Sequence, residues 1–151
     1  MYSNMVIPEL VNIHLNVDNQ KELFQHIGED LHNKQYVTEG YLKGITEREA
    51  KFPTGLATQY LNIALPHSDP EYIKKPFIYI VRNTKPIQML QMGDNAELEC
   101  NYFFFLGIND PSNQVGLLAK MMELFMDEQF VETFKTIDND QDMYELIKNK
   151  I

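Results

Sequence analysis

The 151-residue chain has the length and ordinary globular composition of one domain, large enough to enclose its own hydrophobic core. Its formal net charge of −9 at pH 7 disfavours nucleic acid as a partner, because phosphates bind to Lys and Arg side chains. There is no signal-peptide pattern and no apolar run that could cross a bilayer, so we expect a soluble, cytoplasmic protein without membrane insertion.

The first third of the chain predicts one strand followed by two helices. Apolar and polar residues alternate over residues 11–17, which is typical of a half-buried strand. Asn19 and Glu22 have the spacing of a capping box, and apolar residues follow at helical spacing. A second helix is predicted to begin after Thr38 and to end near Phe52, because a proline follows there.

The rest of the chain predicts three more strands and then three helices. The strands cover residues 61–65, 77–81 and 100–106. The helices cover residues 115–125, 127–137 and 140–147. The first of these helices has its predicted apolar stripe at Val115, Leu118, Met121, Met122 and Phe125. Because the strands cluster instead of alternating with helices, we predict a single α/β domain over residues 1–151, a sandwich with a central mixed β-sheet flanked by helices on both faces.

A histidine at the end of a strand is the strongest candidate for a reactive group. His67 ends the apolar strand over residues 61–65 and follows a proline, and neutral imidazole keeps a lone pair for attack. Phosphohistidine carries about two negative charges, which need a cation or N–H donors. Arg48 supplies a cation, and Thr54, Gly55 and Ser68 could supply supporting donors. The segment therefore predicts phosphoryl chemistry on His67, although a lone strand-end histidine is more commonly a packing or surface residue.

Other kinds of site have less support in the sequence. No metal site is predicted, since the four histidines lack the short spacings of zinc ligands and there is only one cysteine. No glycine-rich nucleotide loop is present, so no cofactor is predicted. Cys100 lies in a predicted strand without a basic neighbour in sequence, which favours a packing role.

Two segments together resemble a known family. They are Glu47-Arg-Glu-Ala-Lys-Phe-Pro-Thr-Gly-Leu56 and Ile63-Ala-Leu-Pro-His67, and they resemble the enzyme IIA domain of the fructose–mannitol class of the bacterial phosphotransferase system. The resemblance covers nearly the whole chain. It implies that His67 accepts a phosphoryl group from the carrier protein HPr and passes it to a cysteine of a IIB component, which serves a IIC membrane permease. It also implies that Arg48 lies in the phosphate region, and that the protein is cytoplasmic and bacterial.

Gln114 marks a departure from the mannitol and fructose members of this family. Those members usually have a second active-site histidine at the start of the helix after the late strand, where this chain has Gln114. Glutamine can donate a hydrogen bond to a phosphate oxygen but does not titrate. The glutamine and the Phe-Pro-Thr-Gly segment resemble the galactitol-type branch, which implies uptake of galactitol or a related polyol. The plainer alternative is that Gln114 is a solvated residue in the first turn of a helix.

Two other functions remain open from the sequence. A regulatory IIA-like domain would be phosphorylated on the same His67 as a signal, and not for transport. A non-catalytic interaction domain is indicated only by the methionine-rich helix over residues 121–126, and methionines more often fill a core.

Overall fold

A computed structural model describes residues 2–151 and contains one five-stranded sheet. The strands are β1 (Val6–Leu15), β2 (Gly55–Ala57), β3 (Asn62–Ala64), β4 (Phe77–Leu90) and β5 (Glu97–Gly107). The helices are α1 (Gln20–Asn33), α2 (Tyr41–Lys51), α3 (Gln114–Phe125), α4 (Glu128–Thr136) and α5 (Asp140–Lys150). Within the described range, no helix is both long and apolar enough to span a bilayer.

The sheet is mixed, as predicted. Its strand order is β1-β4-β5-β3-β2. The pairs β1–β4 and β3–β5 are parallel, and the pairs β4–β5 and β2–β3 are antiparallel. Because β3 and β5 run in the same direction, their carboxyl ends lie at the same edge of the sheet, and the segments that follow them can meet there.

Helices cover both faces of the sheet, which confirms the predicted sandwich. One buried cluster packs α3, α4 and α5 against one face, and the other packs α1 and α2 against the opposite face. The central strand β5 contributes to both clusters. Phe104 and Leu106 belong to the first, and Phe103 and Phe105 belong to the second. Alternate side chains of one strand point to opposite faces, which explains why its sequence is continuously apolar.

The first strand is covered on both faces, so the prediction of a half-buried strand was wrong. Val11 and Ile13 lie in the core beneath α3–α5, whereas Leu10 and Leu15 lie in the core beneath α1 and α2. The pairing of β1 with β4 shifts register after Asn12, and an irregularity of this kind breaks the simple two-residue alternation of side chains. The strand also begins earlier than predicted.

The long β4–β5 hairpin extends well beyond the predicted strands. The prediction ended β4 at Val81, whereas the strand continues through the polar and proline residues 83–86 to Leu90. A register shift between Arg82 and Ile87 accommodates this segment, and Ile87 then pairs with Cys100. The short strand β2 was not predicted from the sequence.

The third helix forms where predicted, but its buried face differs from the predicted stripe. Its buried residues are Leu117, Met121, Leu124 and Phe125. Val115 is 78% exposed and Met122 is also at the surface, so their predicted burial was wrong. Apolar residues occupy most positions of this helix, and such a sequence does not define the orientation of its stripe.

The first helix begins, and the second helix ends, where the sequence predicts. The Asn19 side chain accepts a hydrogen bond of 2.9 Å from the backbone N–H of Glu22, which confirms the cap of α1. At the end of α2, the N–H of Phe52 donates to the carbonyl of Arg48 at 2.7 Å. Arg48 therefore lies in the last turn of α2, from which its side chain reaches the segment after β3.

Candidate active site

The backbone of His67 is held beside the carboxyl end of β5. Strand β3 ends at Ala64, and residues 65–67 continue along the same neighbour. The N–H of Leu106 donates to the carbonyl of Pro66 at 3.0 Å, and His67 forms a parallel bridge with Leu106. Only 5% of His67 is exposed to solvent. The histidine is thus a largely buried residue whose position depends on the sheet.

Contacts on both ring nitrogens define the tautomer of His67. Nδ1 lies 2.7 Å from the carbonyl oxygen of Leu65, which can only accept a hydrogen bond, so Nδ1 carries the proton. Nε2 lies 3.1 Å from Nη1 of Arg48, which can only donate, so Nε2 carries the lone pair. This arrangement fits a neutral imidazole with Nε2 as the nucleophilic atom.

The surroundings of His67 favour its neutral form. Burial lowers the pKa of His67 below its ordinary value, and the positive charge of Arg48 also lowers it. The hydrogen bond to Leu65 and the charge of Asp69 act in the opposite direction but do not outweigh burial. The imidazole therefore remains unprotonated at neutral pH, with its lone pair available.

The guanidinium of Arg48 contacts three side chains around this histidine. Besides the bond from Nη1 to His67, its Nε donates to Oδ1 of Asp69 at 3.2 Å. Its Cζ lies 5.5 Å from the ring centroid of Phe52, a side chain that is 62% exposed. The sequence predicted the pairing of Arg48 with His67 but not the contacts with Asp69 and Phe52. The position of Asp69, two residues after His67, is the signal that could have indicated its role.

Thr54 is buried with both of its donors occupied. Its N–H donates to Oε2 of Glu49 at 2.8 Å, and its hydroxyl donates to Oε1 of the same carboxylate at 2.7 Å. The Ser68 hydroxyl is likewise engaged, since it donates to the carbonyl of Asp69 at 3.0 Å. Phosphate contacts from either hydroxyl would require these bonds to break. In the structure the partner of Thr54 is Glu49, whereas the sequence suggested Thr54 as a donor to phosphate. A role for Glu49 was not predicted.

Gly55 has a packing role in the structure. A Cβ atom at this position would lie 2.5 Å from the carbonyl oxygen of Leu90. The Gly55 carbonyl accepts a hydrogen bond of 2.7 Å from the N–H of Met92. Glycine is therefore needed where β2 approaches the end of β4, which accounts for this residue without a contact to phosphate.

Gln114 is the first residue of α3 and is half-buried. It follows β5, whose carboxyl end lies at the same edge of the sheet as the end of β3. Gln114 and His67 are thus at one end of the sheet, although no hydrogen bond joins them among residues 2–151. A phosphate contact from Gln114 therefore stays a prediction.

Cys100 is buried and unreactive in this environment. Burial, and next the charge of Glu49, raise the pKa of its thiol to about 12, so the thiol stays protonated. This agrees with the packing role predicted for it. The described part of the chain contains no group of three or more His, Cys, Asp or Glu residues placed to hold a metal ion.

The sequence of the chain matches one known family. Residues 5–150 match the family described as phosphoenolpyruvate-dependent sugar phosphotransferase system, EIIA 2. The chain is 28% identical over 122 residues to the galactitol-specific EIIA component of the phosphotransferase system from Escherichia coli (strain K12), covering 81% of each protein.

Solved structures share the fold at low sequence identity. The nitrogen regulatory protein IIA-Ntr from Neisseria meningitidis has a TM-score of 0.74 at 18% identity, with 96% of this chain and 97% of that chain covered. A complex of mannitol enzyme IIA with phosphorylated enzyme IIB from Escherichia coli has a TM-score of 0.73 at 19% identity, with 93% of this chain and 95% of that chain covered. Since the family match spans nearly all of the chain, this protein belongs to the EIIA 2 family of the phosphoenolpyruvate-dependent sugar phosphotransferase system, a family of phosphotransferase components.

Proposed function

We propose that this protein carries a phosphoryl group on Nε2 of His67 between two protein partners. It accepts the group from the phosphohistidine of HPr and delivers it to a cysteine of a IIB component. The observation that carries this proposal is the pair of contacts on the imidazole, with Nδ1 bonded to the Leu65 carbonyl and Nε2 facing Arg48. A neutral, oriented imidazole next to a fixed cation is suited to phosphoryl transfer without a metal ion.

The first transfer exchanges one nitrogen–phosphorus bond for another. The lone pair on Nε2 of His67 attacks the phosphorus, while the bond to the donor histidine breaks and leaves its electron pair on the donor nitrogen. The Nδ1 proton stays hydrogen-bonded to the Leu65 carbonyl, so the phosphorylated ring carries one positive charge, which the negative charge of the phosphoryl group offsets. The donor histidine, protonated on its other ring nitrogen, leaves as neutral imidazole. In the second transfer a IIB thiolate attacks the phosphorus, and Nε2 regains its lone pair.

Arg48 stabilises the charge of the transferring group. In the resting site its Nη1 donates to Nε2, the atom that forms the new bond. When Nε2 is phosphorylated, this donor is free to bond to a phosphoryl oxygen, while the bond from Nε to Asp69 holds the guanidinium in place. Such pre-oriented donors supply most of the catalytic effect in this class of reaction. A supporting bond from Gln114 fits its position at the same edge of the sheet.

The relatives favour a role in sugar transport. The curated relative is named as galactitol-specific, and we propose galactitol or a related polyol as the solute taken up through the IIB and IIC components. The structure of a IIA protein in complex with phosphorylated IIB supports a IIB component as the acceptor. A cytoplasmic location in a bacterial cell follows from these partners. The regulatory alternative would use the same histidine, but the relative named for a sugar gives it no support.

Incubation with phosphoenolpyruvate, enzyme I and HPr, followed by intact mass measurement, tests the proposal. The wild-type protein should gain the mass of one phosphoryl group, and His67→Ala should gain none. His14→Ala is a matched control, because His14 is an exposed histidine on β1 and should not affect labelling. An unlabelled wild-type protein, or a labelled His67→Ala variant, would show that His67 is not the carrier.

A further inference from the structure

The acidic side chain of Glu49 is buried next to the site. Glu49 is 5% exposed and follows Arg48 in the last turn of α2. Glutamate is almost never fully buried unless its charge is matched by hydrogen bonds or an opposite charge. Here both carboxylate oxygens accept hydrogen bonds from Thr54, at 2.7 and 2.8 Å. The mechanism described above does not use this carboxylate, so its burial needs another explanation.

Backbone and side-chain bonds connect Glu49 to the imidazole. Thr54, which Glu49 holds by two bonds, accepts a hydrogen bond at its carbonyl from the N–H of Leu65 at 3.2 Å. The carbonyl of Leu65 in turn accepts the proton of His67 Nδ1 at 2.7 Å. Glu49 therefore holds Thr54, Thr54 holds Leu65, and the Leu65 carbonyl orients the histidine ring.

Glu49 also influences the cation on the other side of that ring. It is adjacent to Arg48 on α2, and Arg48 approaches Nε2 at 3.1 Å. The spacing between Arg48 and His67 therefore depends on how the end of α2 lies against the segment from β2 to His67. The two bonds between Glu49 and Thr54 join these two pieces of backbone.

We propose that Glu49 is a positioning residue for phosphoryl transfer, whose buried carboxylate fixes the end of α2 to the Thr54–Leu65 backbone and so sets the distance between Arg48 and Nε2 of His67. This inference rests on the proposed function at the same site. It assigns Glu49 no contact with the phosphoryl group. Its effect is on the rate of transfer, because small displacements of reacting groups reduce rates strongly.

Replacing the carboxylate by an amide tests this role. Glu49→Gln keeps the size of the side chain but replaces one accepting oxygen with an NH2 donor. We expect kcat for transfer from HPr to fall about tenfold to a hundredfold, with KM for HPr unchanged, because the buried side chain is not part of the docking surface. Thr54→Val removes the hydroxyl bond to Oε1 but keeps the backbone N–H bond to Oε2, so it should slow transfer in the same direction. Thr54→Ser, which keeps the hydroxyl, should recover most of that loss. The double variant should be slower than the slower single variant by less than the product of the two effects, since both substitutions disturb the same Glu49–Thr54 contact.

A variant in another buried hydrogen bond separates positioning from stability. Tyr79→Phe removes a bond of 2.7 Å to Asp30, from a buried residue that belongs to neither the Arg48 nor the Thr54 contacts. It should lower the free energy of unfolding without slowing transfer. If Tyr79→Phe and Glu49→Gln slow transfer in proportion to their loss of stability, Glu49 has only a structural role.

The nitrogen NMR shifts of His67 provide a readout that needs no partner protein. In the wild type we expect the Nδ1–H tautomer, and in Glu49→Gln a mixture of tautomers and a changed His67 pKa. A folded Glu49→Gln variant with wild-type rate and wild-type shifts would overturn the positioning role while leaving the proposed function intact. If HPr cannot label the wild-type protein but the His67 shifts change in Glu49→Gln, the proposed function is overturned. The positioning of His67 by Glu49 would still stand. If Glu49→Gln does not fold, Thr54→Val and Thr54→Ser decide the question by the same measurements.

Discussion

His67 has a partner at each ring nitrogen, and the two partners differ in kind. The Leu65 carbonyl orients the ring and accepts a hydrogen bond from Nδ1, whereas Arg48 offers an N–H group to Nε2, the atom proposed to react. A charged donor at Nε2 also makes protonation of that atom unfavourable. The same contacts that orient the imidazole therefore keep it in its nucleophilic form.

The lowered pKa of His67 predicts a specific response to pH. An unfolded histidine titrates near 6.5, and burial places the folded value below that. As pH falls from 6.5 towards the folded pKa, the unfolded chain binds a proton that the folded protein does not, so stability declines across that interval. The rate of phosphoryl acceptance should stay constant through the same interval and fall only below the folded pKa. NMR titration gives the pKa of His67 in the folded protein, and the rate of phosphoryl acceptance is measured over the same pH range. A folded pKa at or above 6.5 would contradict this explanation.

Arg48 should matter both for its charge and for its shape. Arg48→Gln removes the cation next to Nε2, so we expect the pKa of His67 to rise and transfer to slow by about a hundredfold to a thousandfold. Arg48→Lys should also be slow, because an ammonium group cannot contact Asp69 and His67 with separate donors of a fixed fork. Slower transfer in a variant whose free energy of unfolding is unchanged would support a direct role of Arg48 in transfer. A variant that merely unfolds would show that Arg48 is needed for the structure.

Helices and strands differ in how well the sequence predicted them. The helices α1 and α2 have local signals, a cap at Asn19 and a proline after Phe52, and both form where predicted. The far half of β4 was missed because its polar residues are stabilised by pairing with β5, a contact distant in sequence. In the site, His67 and Arg48 were predicted together from a motif. The bonds from Glu49 and Asp69 depend on how loops meet in space, which residue spacing alone does not specify.

Replacement by alanine is expected to have opposite effects on stability at two of the glycines. Gly55→Ala would place a methyl group 2.5 Å from the Leu90 carbonyl, so β2 must move, and we expect a loss of about 1–3 kcal/mol in unfolding free energy. Gly28→Ala, inside α1, would meet nothing closer than 3.4 Å and should stabilise the protein by about 0.5–1 kcal/mol. Denaturant titration of both variants measures these changes. Equal effects of the two substitutions would be inconsistent with a close approach at Gly55.

At the scale of the whole molecule, the residues of the proposed site come from parts of the chain that only the complete sheet brings together. Arg48 comes from the end of α2, His67 from the segment after β3, and Gln114 from the segment after β5. The parallel pairing of β3 with β5 puts the last two at one edge. Phosphoryl transfer at this proposed site therefore requires the intact domain. The sequence predicted a mixed sheet between helices, but not the pairing of β3 with β5 that forms this edge.

An exposed aromatic side chain beside the site should contribute to docking. Phe52 is 62% exposed and lies against the Arg48 guanidinium, so a partner that reaches Nε2 must pass close to it. We expect Phe52→Ala to raise KM for HPr several-fold with little change in kcat, because aromatic residues often dominate the free energy of binding at interfaces. Met126→Ala is the control, since Met126 is 71% exposed but follows the far end of the 12-residue helix α3. Equal effects on KM would show that Phe52 has no special role in docking.

Delivery of the phosphoryl group from this protein to a IIB component tests the central claim most directly. The protein would be labelled through enzyme I and HPr, purified from them, and mixed with purified IIB proteins one at a time, with the galactitol-type IIB first. Intact mass should show the phosphoryl group leaving this chain and appearing on one IIB protein, and replacing the acceptor cysteine of that IIB protein should stop the transfer. A label that remains on His67 with every IIB partner, or that reaches IIB from an His67→Ala variant, would contradict the account.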